Sequence, residues 1–444
     1  MPNTETTTSV FQALIYEAVA KGVAPGFQCV VFTRDAELYN GVSGLASLPS
    51  PEYPAGRPYT CSTLLWTASC TKLLISLLVL HILERGLSKT GISLGDLDNH
   101  DALVEVLPEF RHDSGSLVNK IIEGFEDKLG PDGKKVMKLR DVKGKVTLRM
   151  LLTHTAGMAF AWNHHILSQL YKPSDGSLPN NKMPLGSGNI LDFEVPLVFE
   201  PGTNYHYGSA TDWLGQFAIR ATGRTLRQLL KDIIFEPLGI PPTEADIWLS
   251  PQLQQSRADI HVRDATSSQN FRKIEISIYS AEHNPAQGKA VIAEAGVFAS
   301  MQSYARILQA VLNEDHRLLR SKEVWSMAKR DDLEARGLKI PRPDWKTAMP
   351  DLTPDVDQFS KSTIEGGVSI NLLQCKVATA QTLSGRPVGS FAWGGLTNVY
   401  YFIDPITGVG AVIGTQMLPF YDSRVVETRD KLETLVYKTL AAAV

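Results

Sequence analysis

Apolar residues recur at helical spacing over Val10–Lys21. The next stretch, GFQCVVFTRD followed by AELYNGVSGLA, alternates with period two, as the arms of a hairpin do. After Ser69 comes a strongly apolar run, which predicts a helix ending near Glu84-Arg85-Gly86, with Gly86 as its stop. From Asp96 to about Gly223 the character changes. This part is loop-rich and charged around EDKLGPDGKKVMKLRDVKGK, with short amphipathic pieces such as TLRMLLTH and ATDWLGQFAIRATG. TLRQLLKDIIFEPLGI predicts a helix that stops at Pro237, and EAGVFASMQSYARILQAVLN a turn entering a helix. Beyond Gly366 the period returns to two. VSINLL, VGSFAW, NVYYFID and VGAVIGTQML predict successive antiparallel strands, with DPITG (Asp404–Gly408) as a hairpin turn, before RVVETRDKLETLVYKTLAAA closes as a helix. Strands and helices at both ends thus flank a mostly helical middle. The expectation is an α/β layer built from residues 1–96 and 224–444, with 97–223 inserted as a helical cap.

Composition narrows the classes. The chain has 444 residues, 43% hydrophobic and 20% charged, with a net charge of −3. No basic excess points to nucleic acid, and no polybasic tract to an anionic membrane. The opening MPNTETTTSV lacks the layout of a secretory signal. The longest apolar stretch, Leu73–Leu83, is too short for a bilayer and is interrupted by His81. Cys29, Cys61, Cys70 and Cys375 show no C-x-x-C spacing, which favours reduced thiols and a cytoplasmic protein. The ten histidines form no ligand motif, and the adjacent His164 and His165 cannot share one helical face, so no metal site is expected.

Candidate chemistry begins at WTASCTKLLISLLVLHIL (Trp66–Leu83). Residues i and i+3 share a helix face, so Lys72 can reach the Ser69 hydroxyl if both sit in the first turn. The positive helix end favours an oxyanion developing near the Ser69 N–H. Burial by the apolar run predicts a depressed lysine pKa, hence a base near neutrality. The tetrapeptide alone fits a helix N-cap serine and a snorkelling lysine just as well. Cys70 points away from Ser69 and reads as packing. A rival, GISLG (Gly91–Gly95), matches the nucleophile elbow, but it follows a helix and precedes polar DLDNHD, so Ser93 reads as a turn residue. EPGTNYHYGSATDWLG sets Tyr207 in a glycine-bracketed turn before a helix. SFAWGGLTNVYYFID sets Gly394 and Gly395 where backbone N–H groups can approach a substrate. In isolation each also fits a packed tyrosine and an ordinary strand-edge turn.

SCTK, LLTHTAGM (Leu151–Met158), EPGTNYHYG, ATGRTL, PLGI and WGG occur in the order that resembles serine β-lactamase-related proteins of the class C and esterase branch. GKVTLRMLLTHTAGM, YGSATDW and GGLTNVYYFIDPITG look like the fungal transesterases that attach an acyl side chain to a polyketide alcohol in statin biosynthesis. The resemblance runs from the first helix to beyond Gly408. It implies an α+β, transpeptidase-like fold: an antiparallel sheet flanked by helices plus a mostly helical lobe. It implies Ser69 as nucleophile, Lys72 as base and Tyr207 as proton relay. Trp393-Gly394-Gly395 stands at the K-T-G or H-x-G position, with the Leu396 and Ser69 N–H groups as the oxyanion hole. The sequence departs from β-lactamases at Ser209, where Y-x-N has asparagine, and at Trp393, where a charged residue or histidine is usual. Both departures disfavour β-lactam hydrolysis. The implied reaction is ping-pong acyl transfer from a thioester or ester to a small-molecule alcohol, with no cofactor. An acyl carrier protein or acyl-CoA is the candidate donor. An esterase, or a non-catalytic member of the fold, is the alternative. Trp162, Tyr205 and Trp393 are candidates to line an apolar acceptor pocket and fit a core equally well.

Overall fold

The computed structural model describes residues 4–131, 135–160, 163–170, 194–264, 266, 270–275, 292–340, 352–353 and 368–441. Eight strands form the main sheet: β1 (Gly26–Thr33), β2 (Glu37–Ser47), β3 (Arg57–Pro58), β4 (Val368–Ile370), β5 (Lys376–Ala378), β6 (Phe391–Gly395), β7 (Val399–Asp404) and β8 (Val409–Gly414). Their order is β4-β5-β6-β7-β8-β1-β2-β3, antiparallel throughout. Strands from the two ends of the chain thus meet at β1 and β8, where Gln28 pairs with Gly414 and Thr33 with Val409. The Asp404–Gly408 turn forms as expected: Asp404 Oδ1 accepts from the Ile406 and Thr407 amides at 2.8 and 3.1 Å.

Period two divides the strands between two cores. Phe27, Cys29 and Val31 of β1, with Tyr400 and Phe402 of β7, face helices α1 (Thr4–Ala20) and, from the chain's other end, Ser423–Ala441. Val30, Phe32, Tyr401 and Ile403 face the opposite way, into the larger core with Thr71–Glu84 and Met301–Leu312. In chain order these helices are α2 (Thr71–Glu84), α3 (Ala210–Thr222), α4 (Met301–Leu312) and α5 (Ser423–Ala441). Gly410 lies under the Phe32 ring, where a Cβ would collide. Nearly every side chain of α2 is buried, as a helix apolar all round must be. It ends at Glu84, followed by Gly86 at φ 63°.

Two sequence expectations are corrected. The charged stretch around residues 120–141 is an antiparallel hairpin, Lys120–Leu129 against Lys135–Asp141. Phe125, Met137 and Leu139 on one face pack around Ile122, Ala159 and Leu167, while much of the rest is exposed and polar, which masks the period. The coil after Leu226–Leu230 also passes through Pro237, as a single tight turn Glu236–Leu238 closed by Gly239 at φ 67°. Proline is tolerated there because the first residues of a helical turn need no N–H partner. The larger core runs without a break from the sheet through α2 to Trp213 and Phe217 of α3. Among the described residues no helix is long and apolar enough to cross a membrane.

Candidate active site

Ser69 sits in the tight turn Ala68–Cys70 that leads into α2. Several long-range contacts fix this turn. The Thr67 amide and hydroxyl both donate to the Val297 carbonyl, at 3.0 and 2.8 Å. The Val297 amide donates back to Thr71 Oγ1 at 3.1 Å, and the Tyr304 hydroxyl to the Cys70 carbonyl at 2.8 Å. From the sheet, Gly395 lies so close to the Thr67 carbonyl that a Cβ would collide with it. Pinned on both sides, Ala68 holds φ 45°, a left-handed conformation that costs a non-glycine residue about 1–3 kcal/mol.

Around the Ser69 hydroxyl, Tyr207 Oη lies at 2.7 Å and Lys72 Nζ at 3.2 Å. Lys72 also donates to the Glu294 carbonyl at 3.2 Å and to Glu294 Oε2 at 3.4 Å, an ion pair with side chains 1% and 5% exposed. Gly208 places the phenol: a Cβ there would strike the Met158 carbonyl. Asn163 Nδ2 holds the Tyr207 carbonyl at 2.8 Å, and His154, Phe160 and Trp393 surround the ring, with centroids 5.1, 5.4 and 5.7 Å away. Burial pushes the phenol pKa up, against the opposing pull of Lys72, so Tyr207 is neutral at rest.

The expected depression of the Lys72 pKa is overturned. Burial alone lowers it, but Glu294, Tyr207 and Asp212 outweigh burial and hold Lys72 above its ordinary value, as an ammonium. The penalty falls on the acids instead: burial pushes Glu294 up to about 7, and Asp212 well above the carboxylate range, helped by Glu294. Asp212, on α3, accepts from the Glu294 amide at 3.2 Å through Oδ1. A chain of buried polar groups runs behind Lys72. The Lys72 carbonyl accepts from Ser76 at 2.9 Å, Ser76 from Gln374 at 2.8 Å, and Gln374 from Thr211 at 2.6 Å.

Ser69, Lys72, Tyr207 and Trp393 are therefore brought together. Gly394 and Gly395 end β6, whose last residue abuts the Ser69 turn, and Leu396 follows directly. Tyr205 is buried in a small cluster with Leu333 and Ile370, against which Trp393 packs. Trp162 lies outside the described residues. Ser93 is an exposed turn residue whose hydroxyl donates to Asp96, away from this site. Glu294, Asp212, Gln374 and His154 were not singled out by sequence reasoning. An acid among the apolar positions of ATDWLGQF was a usable signal for Asp212; Glu294 carries none beyond its small apolar neighbours. No group of three or more His, Cys, Asp or Glu among the described residues could hold a metal ion.

A serine turn at the mouth of a buried helix, faced by a tyrosine and by the end of an antiparallel strand, agrees with the sequence comparison. The Beta-lactamase family model matches residues 11–435, and the chain belongs to that family. Within it the chain is 28% identical over 413 residues to the monacolin J acid methylbutanoyltransferase of Aspergillus terreus, covering 91% of this chain and 90% of that one. It is 28% identical over 324 residues to the lovastatin esterase of Penicillium rubens, covering 72% and 71%. A solved variant (LovD6) of the Aspergillus terreus simvastatin synthase superposes with a TM-score of 0.77 at 25% identity, over 99% of this chain and 98% of that one.

Proposed function

We propose that this chain is a serine acyltransferase of secondary metabolism, moving an acyl group from a thioester or ester to a small-molecule alcohol. The observation that carries the reading is the Ser69 hydroxyl, held 2.7 Å from a neutral tyrosine and 3.2 Å from a buried lysine at a helix mouth. Ser69 Oγ attacks the donor carbonyl, and Lys72, once it has shed its own proton, takes the proton of the serine. The Ser69 and Leu396 N–H groups receive the oxyanion. The C–S or C–O bond of the donor breaks, and Tyr207 relays a proton to the leaving group. The alcohol then attacks the acyl-serine by the same steps in reverse. Trp393, Gly394, Gly395, Tyr205 and Trp162 bind the substrates, and an acyl carrier protein or acyl-CoA delivers the acyl group.

Likeness to an esterase supports a second reading, with water as the acceptor. An alcohol prevails only where a pocket orients it, so that its effective molarity exceeds that of bulk water. Intact mass after incubation with a short acyl N-acetylcysteamine thioester should show one added acyl group, mapped to the Ser69 peptide and absent in Ser69→Ala. Adding hydrophobic alcohols to the loaded enzyme should divert the product from acid to ester. Label on another residue overturns the nucleophile; acid as sole product, at a rate no alcohol changes, makes the chain an esterase.

A further inference from the structure

We infer that Glu294 is the proton store of this site: it holds Lys72 as an ammonium at rest and takes that proton when Lys72 must accept the one leaving Ser69. The inference deepens the reading of Ser69 as nucleophile and rests on it. Lys72 Nζ meets three acceptors, Ser69 Oγ at 3.2 Å, the Glu294 carbonyl at 3.2 Å and Glu294 Oε2 at 3.4 Å. An ammonium has three N–H groups and no lone pair, so Lys72 itself is no base in this state. Among the described residues Glu294 Oε2 is the charged acceptor within ion-pair distance of Lys72, and it is buried with the lysine. Transfer of one proton from Nζ to Oε2 converts the ion pair to an amine beside a carboxylic acid, with no change in net charge. Rotation about Cε–Nζ then turns the lone pair to Ser69. As the Oγ–C bond forms, the serine proton moves to Nζ. The departing thiolate or alkoxide receives a proton through Tyr207, which is replenished from Lys72. Lys72 recovers the stored proton from Glu294, and the cluster regains its starting charge.

The surroundings favour this exchange. Asp212 reaches Glu294 from α3, with Oδ1 on the Glu294 amide at 3.2 Å and Oδ2 buried without a partner among the described residues. Lys72 faces Glu294 from α2, and among the described residues Tyr207, His154 and the Cys70 thiol are further titratable groups around the lysine. One ammonium cannot hold two desolvated carboxylates ionised, so the pair retains a proton near neutrality, and Glu294, whose Oε2 accepts from Lys72 at 3.4 Å, is the member placed to exchange it.

The test is the pH profile of the acylation burst, measured by stopped flow with p-nitrophenyl butyrate on the full chain. In the wild type the burst rate should rise through an ionisation near pH 7. In Glu294→Gln, Lys72 must lose its proton to solvent while Asp212 still faces it. The limb should then move to the alkaline side by one pH unit or more, with the plateau lowered less than tenfold. Glu294→Asp should restore the limb toward 7. A lowered plateau with the limb in place overturns the inference, because damage to packing alone acts that way; a shift to the acid side overturns it too, because Lys72 would then shed its proton more readily without Glu294 than with it. If Glu294→Gln does not fold, infrared difference spectra of the wild type serve instead. A carboxyl C=O band titrating near 7 supports the store, and none between pH 6 and 8 overturns it. A wild type with no Ser69 adduct removes the nucleophile reading itself; an intact adduct with an unmoved limb removes only the role of Glu294.

Discussion

Lys72 is held as an ammonium in its pocket, whereas the base proposed for Ser69 has to be neutral. Arginine at this position would keep the charge and the ion pair with Glu294 but cannot supply a neutral nitrogen near pH 7. Lys72→Arg should therefore fold and show an acylation burst reduced at least a hundredfold. A loss of tenfold or less, about 1.4 kcal/mol, in stopped-flow acylation would show that Lys72 is not the base. Ser69 and Lys72 were legible because their relation is local, three positions on one helix face. Tyr207 was picked out through the family resemblance, since its glycine-bracketed turn alone fits a packed tyrosine as well. The charge state of Lys72 was not legible. It is set by Glu294 and Asp212, which reach the lysine from distant segments and leave no spacing to read.

The Ser69 turn depends on β6 as much as on its own residues. Gly395 lets that strand press against the Thr67 carbonyl, so Gly395→Ala must push the strand off the turn and spread the amides assigned to the oxyanion. We expect a circular dichroism spectrum like the wild type, with acylation down a hundredfold or more; a loss below fivefold would show that the close approach has no catalytic weight. The strands around β6 were readable because alternate residues enter two separate cores, which imposes a strict period. The 120–141 hairpin was misread for the opposite reason. With few buried positions, its sequence satisfies solvent rather than a core. β5 was missed because its three residues stand alone, whereas the equally short β4 runs on into the apolar Leu372 and Leu373.

Across the whole molecule, buried histidines tie the fold to pH. Burial holds His154 well below its ordinary value of 6.5 and His261 at about 4. A histidine kept neutral in the folded state adds nothing above 6.5. Below it, each costs ~1.4 kcal/mol per pH unit until its own folded pKa is reached, because unfolding then takes up a proton. Glu294 and Asp212 run the other way, since a raised carboxyl pKa makes stability rise as pH falls toward the ordinary carboxylate range, but His164, held at about 3, and the lowered His206 add to the histidine side. The melting temperature should nonetheless fall between pH 6.5 and 5.5, and His261→Gln should flatten that decline. A variant curve parallel to the wild type would refute the assignment. The meeting of the two chain ends at β1 and β8 also has a biosynthetic cost. On the ribosome, β1 and β2 emerge early, but the open side of β1 waits for residues 409–414, and an unpaired apolar edge invites association with other nascent chains. The same delay applies to the Ser69 turn. Val297, Tyr304 and Gly395 all have to arrive before it is fixed, so a growing chain exposes that edge long before its site is assembled.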